Sequence, residues 1–229
     1  MSQAQLNAGN FLQESFSRVG PVFVPLVILS LPAAVLQLVG AFLPSPFSNI
    51  LSIVANLLIT PLLGGAAIYI ISRHLKDQQT ELSEAIQRAT EKAGNLILAY
   101  FLYFVSVVVG LLLLIIPGLY LAVRLVFVLY AVMLQDASGT EALGIAWRLT
   151  QGRWWSIFWC LLLAGLLLIV LPIIVVTFVS MPFGNVFISQ LLGTAVGLVV
   201  GPIFGIYGFL VYKTVRQMDK GDNINRALT

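Results

Sequence analysis

A single arginine, Arg124, stands in an otherwise uncharged segment, IIPGLYLAVRLVFVLYAVML, that runs from Ile115 to Leu134. No acidic residue lies within ten positions of Arg124. A guanidinium is planar and holds a phosphate through two parallel hydrogen bonds. One hypothesis is therefore that Arg124 binds an anionic group, above all a lipid phosphate. The alternative is a structural clamp, in which Arg124 bonds to backbone carbonyls of neighbouring helices.

The position of Arg124 within the apolar segment costs free energy, whichever of the two roles it has. It lies six residues past Gly118, which is roughly 9 Å along a helix that rises about 1.5 Å per residue. A central arginine in a membrane helix is unfavourable by about 2.5–3.5 kcal/mol. Because no apolar segment contains an acidic residue, the side-chain partners that the sequence offers are neutral: Gln37, Asn56, Ser106, Thr177 and Gln190.

A second group of candidate residues lies in WRLTQGRWW, which begins at Trp147. Tryptophan is enriched at membrane–water interfaces, and arginine near an interface attracts anionic headgroups. The lipid-binding candidates that this segment adds to Arg124 are Trp147, Arg148, Arg153, Trp154 and Trp155.

The composition predicts the elements that position these residues. The chain has 229 residues, of which 59% are hydrophobic and 9% charged, whereas a soluble domain has about 25% charged residues. Apart from Arg124, the blocks 19–72, 93–135 and 154–212 contain no charged residue. Each block is long enough for two membrane helices of about 20 residues and too short for three. We therefore predict an all-α integral membrane protein with six transmembrane helices, near 21–43, 50–72, 94–116, 118–135, 155–179 and 186–211.

Proline-containing turns divide the three blocks: LPSPFSN (43–49), IIPG (115–118) and SMPFGN (180–185). Proline removes a backbone donor and disfavours helix in the preceding residue. Eleven of the twelve Lys and Arg residues lie in the N-terminus, in the two loops between hairpins or in the C-terminus, and none lies in the three turns. By the positive-inside rule, both termini are expected to be cytoplasmic, with a bacterial inner membrane as the default location.

The chain is predicted to be a single membrane domain, residues 1–229, built from three similar units. Each unit is an amphipathic segment followed by a hairpin, and the spacing of Ser138 and Glu141 predicts a capping box where the third amphipathic helix begins. These segments are either connectors at the headgroup boundary or docking surfaces for a partner or an anionic lipid. The predicted parts are an N-terminal segment (1–19), a first hairpin (20–72), two helix-plus-hairpin units (80–135 and 138–212) and a cytoplasmic tail (213–229).

Four glycines recur every four residues along the sixth span: Gly193, Gly197, Gly201 and Gly205. Residues four apart share a helix face, and small residues let membrane helices approach closely. This face is expected to pack within the monomer, to pack against a second copy of the chain, or to line a pore. Pro117 and Gly118 are further packing candidates, where the fourth span begins.

Residues 116–158 resemble a membrane-domain family named after glycerophosphoryl diester phosphodiesterase, and related uncharacterised bacterial inner-membrane proteins. The resemblance implies an integral membrane protein. In some members the membrane part is fused to a barrel that hydrolyses glycerophosphodiesters with metal-binding carboxylates and histidines. We expect no such activity here, since the only histidine is His74 and the nine acidic residues lie outside the predicted spans. The shared features are Pro117-Gly118, Arg124, Asp136, Ala142-Leu143, Trp147 and Thr150-Gln151-Gly152.

The sequence contains no metal-binding cluster, no nucleophile with a neighbouring base and no phosphate-binding glycine loop. We therefore expect no enzymatic activity, metal, cofactor or nucleic-acid partner. The expected function is that of a non-catalytic multi-pass membrane protein that binds an anionic lipid or a membrane-protein partner, a second copy included, and supports membrane assembly or integrity. The alternative is a transporter, channel or lipid-moving protein that uses Arg124 and the glycine-lined sixth helix as an anion path.

Overall fold

A computed structural model of the chain describes residues 6–40, 43–44, 46–78, 80–180 and 186–228. Within these residues all regular secondary structure is helical. A π-helical turn, Leu166–Val170, connects α8 and α9. The α-helices are α1 (Ala8–Gly40), α2 (Phe47–His74), α3 (Leu82–Glu91), α4 (Ala93–Leu113), α5 (Ile115–Arg124), α6 (Val128–Gln135), α7 (Gly139–Thr150), α8 (Trp154–Gly165), α9 (Leu171–Ser180) and α10 (Val186–Leu228).

Six helical stretches among the described residues are long and apolar enough to cross a membrane. They correspond one to one with the predicted spans, which confirms the all-α class and the six apolar helices. Residues 181–185 of the third predicted turn lie outside the described residues. The six stretches are Ala8–Gly40, Phe47–His74, Ala93–Leu113, Ile115–Gln135, Trp154–Val179 and Ile188–Gly221.

The first helix is longer than its predicted span. We predicted a boundary at Gly20, but α1 continues through Gly20 without a break. A glycine inside a helix costs only about 1 kcal/mol relative to alanine, and packing offsets this cost. Phe11 is buried, with its ring edge-to-face on Tyr207 of α10 at 6.0 Å. The start of α1 is therefore held against α10.

The second hairpin turns at Leu114 and not at Pro117. Leu114 has extended backbone, with φ −166° and ψ 154°, and α5 begins directly after it. Pro117 lies in the first turn of α5, where a backbone donor has no partner within the helix, so its missing N–H costs little. The predicted span 118–135 is also divided, because α5 ends at Arg124 and α6 begins at Val128.

Two glycines allow α4 and α5 to pack closely after this turn. A Cβ atom on Gly118 would lie 2.7 Å from the backbone nitrogen of Leu111, and one on Gly110 would lie 2.8 Å from the Gly118 Cα. Such distances are shorter than carbon atoms allow, so any larger residue would force the helices apart. This contact sets the course of α5 and therefore the place where Arg124 comes to lie.

The short helix α7 packs against the bundle. Its predicted capping box is confirmed, since the Ser138 side chain accepts from the Glu141 backbone and the Glu141 side chain accepts from the Ser138 backbone. Its apolar face, Ala142, Ile145, Ala146 and Leu149, is buried, and α7 contacts α4 and α6. The apolar face of this amphipathic helix is therefore covered by other helices of the same chain.

A lysine fastens the start of α4 to the end of α6. Lys92 forms an ion pair with Asp136, and its Nζ also donates to the carbonyls of Val132 at 3.3 Å and Met133 at 3.0 Å. A cation beside the last carbonyls of a helix is stabilised by the helix dipole. The hydrogen bond from Lys92 lowers the pKa of Asp136 below its ordinary value.

A second polar group links α2 to α3. The Tyr69 hydroxyl donates to Glu84 at 2.6 Å, and Arg73 donates to the same carboxylate at 3.1 Å. The bond from Tyr69, followed by that from Arg73, lowers the pKa of Glu84. The short helix α3 is therefore held against α2 by an ion pair as well as by its buried residues Ala85 and Ala89.

Candidate anion-binding site

The break after α5 leaves the carbonyl of Arg124 without its usual helical donor. Within a continuous helix that carbonyl would accept from the backbone of Val128. Here the Val128 N–H bonds to Leu125 O at 3.1 Å. The hydroxyl of Thr150, a fully buried residue at the end of α7, lies 3.1 Å from Arg124 O and at the same distance from the carbonyls of Ala146 and Trp147 in its own helix. Its single proton is shared among these three acceptors, and the contact with Arg124 O links α7 to the end of α5.

The Arg124 side chain lies against two aromatic residues. Its Nε donates to the Tyr120 hydroxyl at 2.8 Å, and its Nη1 donates to the Trp147 carbonyl at 3.4 Å. The guanidinium carbon lies 4.7 Å from the Trp147 ring centroid and 5.1 Å from the Tyr120 centroid. Both distances are within the range of favourable cation–π contacts. The rings thus fix the guanidinium without neutralising its charge.

The partners of Arg124 are neutral, as expected, but the five side chains named for this role were wrong. Its hydrogen bonds go to Tyr120 and Trp147, and not to Gln37, Asn56, Ser106, Thr177 or Gln190. The physical reason is the division of the fourth span. Because α5 ends at Arg124 and α7 packs back against it, the side chain meets the last turn of α7 before it can reach another long helix.

Part of the guanidinium remains available to a ligand. An arginine carries five N–H donors, and two of them are used by Tyr120 and Trp147. The other three have no partner among the described residues, and no carboxylate within the described part of the chain pairs with Arg124. The residue is half-buried. Arg124 is therefore partly a clamp and partly an unsatisfied cation.

Trp154 extends this group towards α8. Its indole nitrogen donates to the Tyr120 carbonyl at 3.2 Å, and its ring stacks on Tyr120 with centroids 5.7 Å apart. On its other side Trp154 stacks on Phe158 at 5.1 Å, with the rings within 7° of parallel. We refer to Tyr120, Arg124, Trp147, Thr150 and Trp154 together as the Arg124 cluster.

The remaining predicted residues border this cluster. Arg148 is exposed in the last turn of α7 and forms no ion pair with any described residue. Arg153 immediately precedes α8, after a turn at Gly152, whose positive φ of 74° suits glycine. Trp155 contacts Trp154 edge-to-face at 4.7 Å and is 66% exposed. The structure thus joins Arg124 directly to Trp147, and Tyr120 links Trp154 to both of them. Arg148 and Arg153 are two further cations beside them in the chain.

Two residues of the cluster were missed by the sequence analysis. Tyr120 lies four residues before Arg124, and this spacing puts two side chains on the same helix face. The sequence therefore held a signal for that pair. For Thr150 the sequence held no signal other than its place in the segment that carries the resemblance. The role of Thr150 depends on where α5 ends, and no proline or glycine marks that end.

The glycine row of α10 lies elsewhere. Gly193, Gly197 and Gly201 line an apolar groove of about 720 Å³ between α9 and α10. A Cβ atom on any of the three would meet nothing within 4 Å, whereas one on Gly205 would lie 3.2 Å from Ile71 of α2. Within the described chain, only Gly205 of the four is in close contact with another helix. Arg124 does not line the groove.

Comparison with known families gives one match. Residues 103–215, just under half of the chain, match the model of a family described as Domain of unknown function (DUF7847). The matched segment runs from within α4 into α10 and includes the whole Arg124 cluster. No curated protein and no solved structure matches the chain.

Proposed function

We propose that this chain is a non-catalytic multi-pass membrane protein that binds the phosphate of an anionic lipid at the Arg124 cluster. The observation that carries the proposal is the half-used guanidinium of Arg124. Its rings and carbonyl partner hold it in place, no described carboxylate neutralises it, and three of its donors have no partner. A phosphate supplies both the negative charge and the acceptor oxygens that this arrangement lacks.

The surroundings of Arg124 fit a lipid better than a small soluble anion. Trp147 is 39% exposed and Trp155 is 66% exposed, so aromatic surface is open beside the cation. Tryptophan rings favour the interface between headgroups and acyl chains. A lipid presents its phosphate at that same level and its apolar chains next to it. We place both termini on the cytoplasmic side of the inner membrane, on the distribution of Lys and Arg.

The main competing function is movement of an anion through the protein. It requires that Arg124 and the glycines of α10 share one path. The glycine-lined groove is apolar, and Arg124 is not among its lining residues. This separation favours binding over conduction, and membrane assembly or integrity is the process that a lipid-binding protein of this kind would support.

The resemblance to the membrane-domain family named after glycerophosphoryl diester phosphodiesterase lies within the segment that matches the family model. We propose a distant relation through the membrane part alone. The hydrolase activity of the fused barrel is not part of the proposal, since it belongs to a separate catalytic domain.

Native mass spectrometry of the protein released from nanodiscs tests this function. The nanodiscs contain phosphatidylglycerol and phosphatidylcholine, and the wild type is compared with Arg124→Gln. Hydrogen bonds to charged groups contribute about 1.5–3 kcal/mol each, and about 1.4 kcal/mol changes affinity tenfold. We therefore expect Arg124→Gln to bind phosphatidylglycerol at least about tenfold more weakly, with little change for phosphatidylcholine.

Two further variants make the comparison specific. Arg88→Gln removes an exposed arginine that is paired with Glu91, and we expect its lipid binding to match the wild type. Arg124→Lys keeps the charge but loses the planar fork, so we expect an intermediate affinity. If Arg124→Gln unfolds at a lower temperature yet keeps its phosphatidylglycerol, the residue is a clamp and the proposed function is wrong.

A further inference from the structure

A second basic site lies between the end of α2 and α10. A pocket of about 230 Å³ is lined by Lys76, which follows α2, and by Lys213, Arg216 and Lys220 of α10. A water molecule occupies about 30 Å³ in the liquid, so the pocket has room for a phosphate group and the first atoms of its ester. None of the residues of the Arg124 cluster lines it.

Among the described residues, no carboxylate lines this pocket. None of its four cations forms an ion pair with a described residue. Four other cations of the chain are each paired: Arg18 with Glu14, Arg73 with Glu84, Arg88 with Glu91 and Lys92 with Asp136. The acidic residues nearest in sequence, Asp77 and Asp219, do not line the pocket either.

The spacing of the three α10 cations increases the repulsion between them. Lys213, Arg216 and Lys220 lie three and four residues apart, so their side chains project from one helix face. Like charges at this spacing destabilise a helix, and Lys76 adds a fourth cation from a different element. A bound anion relieves this repulsion, whereas a folded chain without one retains it.

The rest of the pocket lining is partly apolar and partly polar, since Ser72, Tyr212 and Gln217 also line it. Leu75, Leu134 and Phe209 contribute apolar surface. The buried Tyr212 hydroxyl accepts from Gln135 at 3.0 Å and interacts with Arg216. Arg216 is half-buried, whereas the three lysines of the pocket are exposed and form its rim. Basic pockets of this kind between membrane helices bind phosphorylated headgroups.

We infer that this pocket is a second anion site, which takes a phosphate-bearing ligand independently of the Arg124 cluster. The phosphate belongs either to a lipid headgroup at the membrane surface or to a soluble phosphate compound. The recognition chemistry is the same in both cases: four cations converge on oxygens that carry at least one negative charge.

The test uses the full chain in nanodiscs and separates the two sources. In one arm, phosphatidylglycerol binding is counted by native mass spectrometry. In the other, the nanodiscs contain phosphatidylcholine only, and pyrophosphate is titrated by isothermal calorimetry. The variant is Lys213→Gln/Arg216→Gln. Because each Lys or Arg near an anionic surface changes affinity about fivefold, we expect a loss of about 25-fold in at least one arm.

Matched controls complete the design. Arg18→Gln/Arg88→Gln removes the same charge from exposed, paired positions and should leave both arms unchanged. Arg124→Gln should leave pyrophosphate binding unchanged and should remove only the phosphatidylglycerol bound at the Arg124 cluster. Combining Arg124→Gln with the pocket variant should remove both lipids, which distinguishes failure of this site from failure of the proposed function. If the pocket variant does not fold, Lys76→Gln/Lys220→Gln replaces exposed rim residues instead.

The outcomes assign the ligand or overturn the site. A loss confined to the phosphatidylglycerol arm assigns a lipid headgroup, and a loss confined to the pyrophosphate arm assigns a soluble phosphate. A loss in both arms assigns a site that accepts either source. Equal binding by the wild type and the pocket variant in both arms, or an equal loss in the paired-arginine control, would overturn the inference.

Discussion

Replacement of Thr150 by valine tests how the Arg124 cluster is held together. Valine keeps the shape of threonine and removes only the hydroxyl, which in the wild type lies 3.1 Å from each of the carbonyls of Arg124, Ala146 and Trp147. Thr150 is fully buried, so no water replaces the lost donor easily. An unsatisfied buried carbonyl costs about 1–3 kcal/mol. We therefore expect Thr150→Val to destabilise the protein by that amount.

The single cysteine provides the assay. Cys160 is 4% exposed in α8, so a thiol-reactive fluorophore reports its exposure as the protein unfolds on heating. A change of 1 kcal/mol shifts the midpoint by about 2–4 °C in a protein of this length. Thr150→Val should therefore unfold several degrees below the wild type, and Thr150→Ser, which keeps the hydroxyl, should unfold close to it.

Two results would refute this reasoning. The first is a midpoint of Thr150→Val equal to that of the wild type, which would mean that the Arg124 carbonyl does not depend on the hydroxyl. The second is an equal loss in Thr150→Ser, which would assign the effect to the methyl group and its packing.

Three further predictions follow from the same contacts. Gly118→Ala should destabilise the protein by about 1–3 kcal/mol through overpacking against Leu111, whereas Gly144→Ala, where a Cβ meets nothing within 4 Å, should be neutral or slightly stabilising in the same thermal assay. Lys92 lowers the pKa of Asp136 in the folded protein. The ion pair therefore stabilises the fold above the pKa of about 4 that Asp136 has in the unfolded chain, and this stabilisation is lost as the pH falls through the lower pKa of the folded protein. Thermal midpoints at pH 7 and pH 3 should therefore differ less in Asp136→Asn than in the wild type, and an equal difference would contradict the pairing. Tyr69→Phe removes the shortest bond to Glu84, so the pKa of Glu84, followed by NMR of labelled glutamate, should rise, and an unchanged titration would show that Arg73 alone sets it.

The apolar helices could be predicted from the sequence because a bilayer imposes a minimum length on every apolar segment. The capping box of α7 was equally accessible, since Ser138 and Glu141 interact within one helical turn. Both signals are local. They depend on residues that are neighbours in the chain or on the composition of a short window.

The contacts of Arg124 could not be predicted in this way. Trp147 lies 23 positions away, and its contact depends on the end of α5 and on the return of α7 along α4 and α6. Residues 124–128 contain neither proline nor glycine, so no local signal marks the break. Tertiary contacts accompany the break instead. The main one is the contact of the Thr150 hydroxyl with the Arg124 carbonyl that the break leaves free.

The basic pocket was also hidden from the sequence. Lys76 and Lys213 were read as separate cytoplasmic charges, which the positive-inside rule explains without any site. Their convergence depends on the packing of α2 against α10, through the contact of Ile71 with Gly205. Charge counting predicts which end of a helix is basic, but not which cations share a cavity.

Quenching of tryptophan fluorescence tests the central claim most directly. Trp147 and Trp154 belong to the Arg124 cluster, and Trp155 contacts Trp154, so their emission reports on lipids bound there. The fourth tryptophan, Trp159, contacts Phe158, which stacks on Trp154. Brominated phosphatidylglycerol should quench the wild type at a lower mole fraction than brominated phosphatidylcholine. We predict that Arg124→Gln loses this difference and that Arg88→Gln keeps it. Equal quenching curves for Arg124→Gln and the wild type would contradict a phosphate site at Arg124.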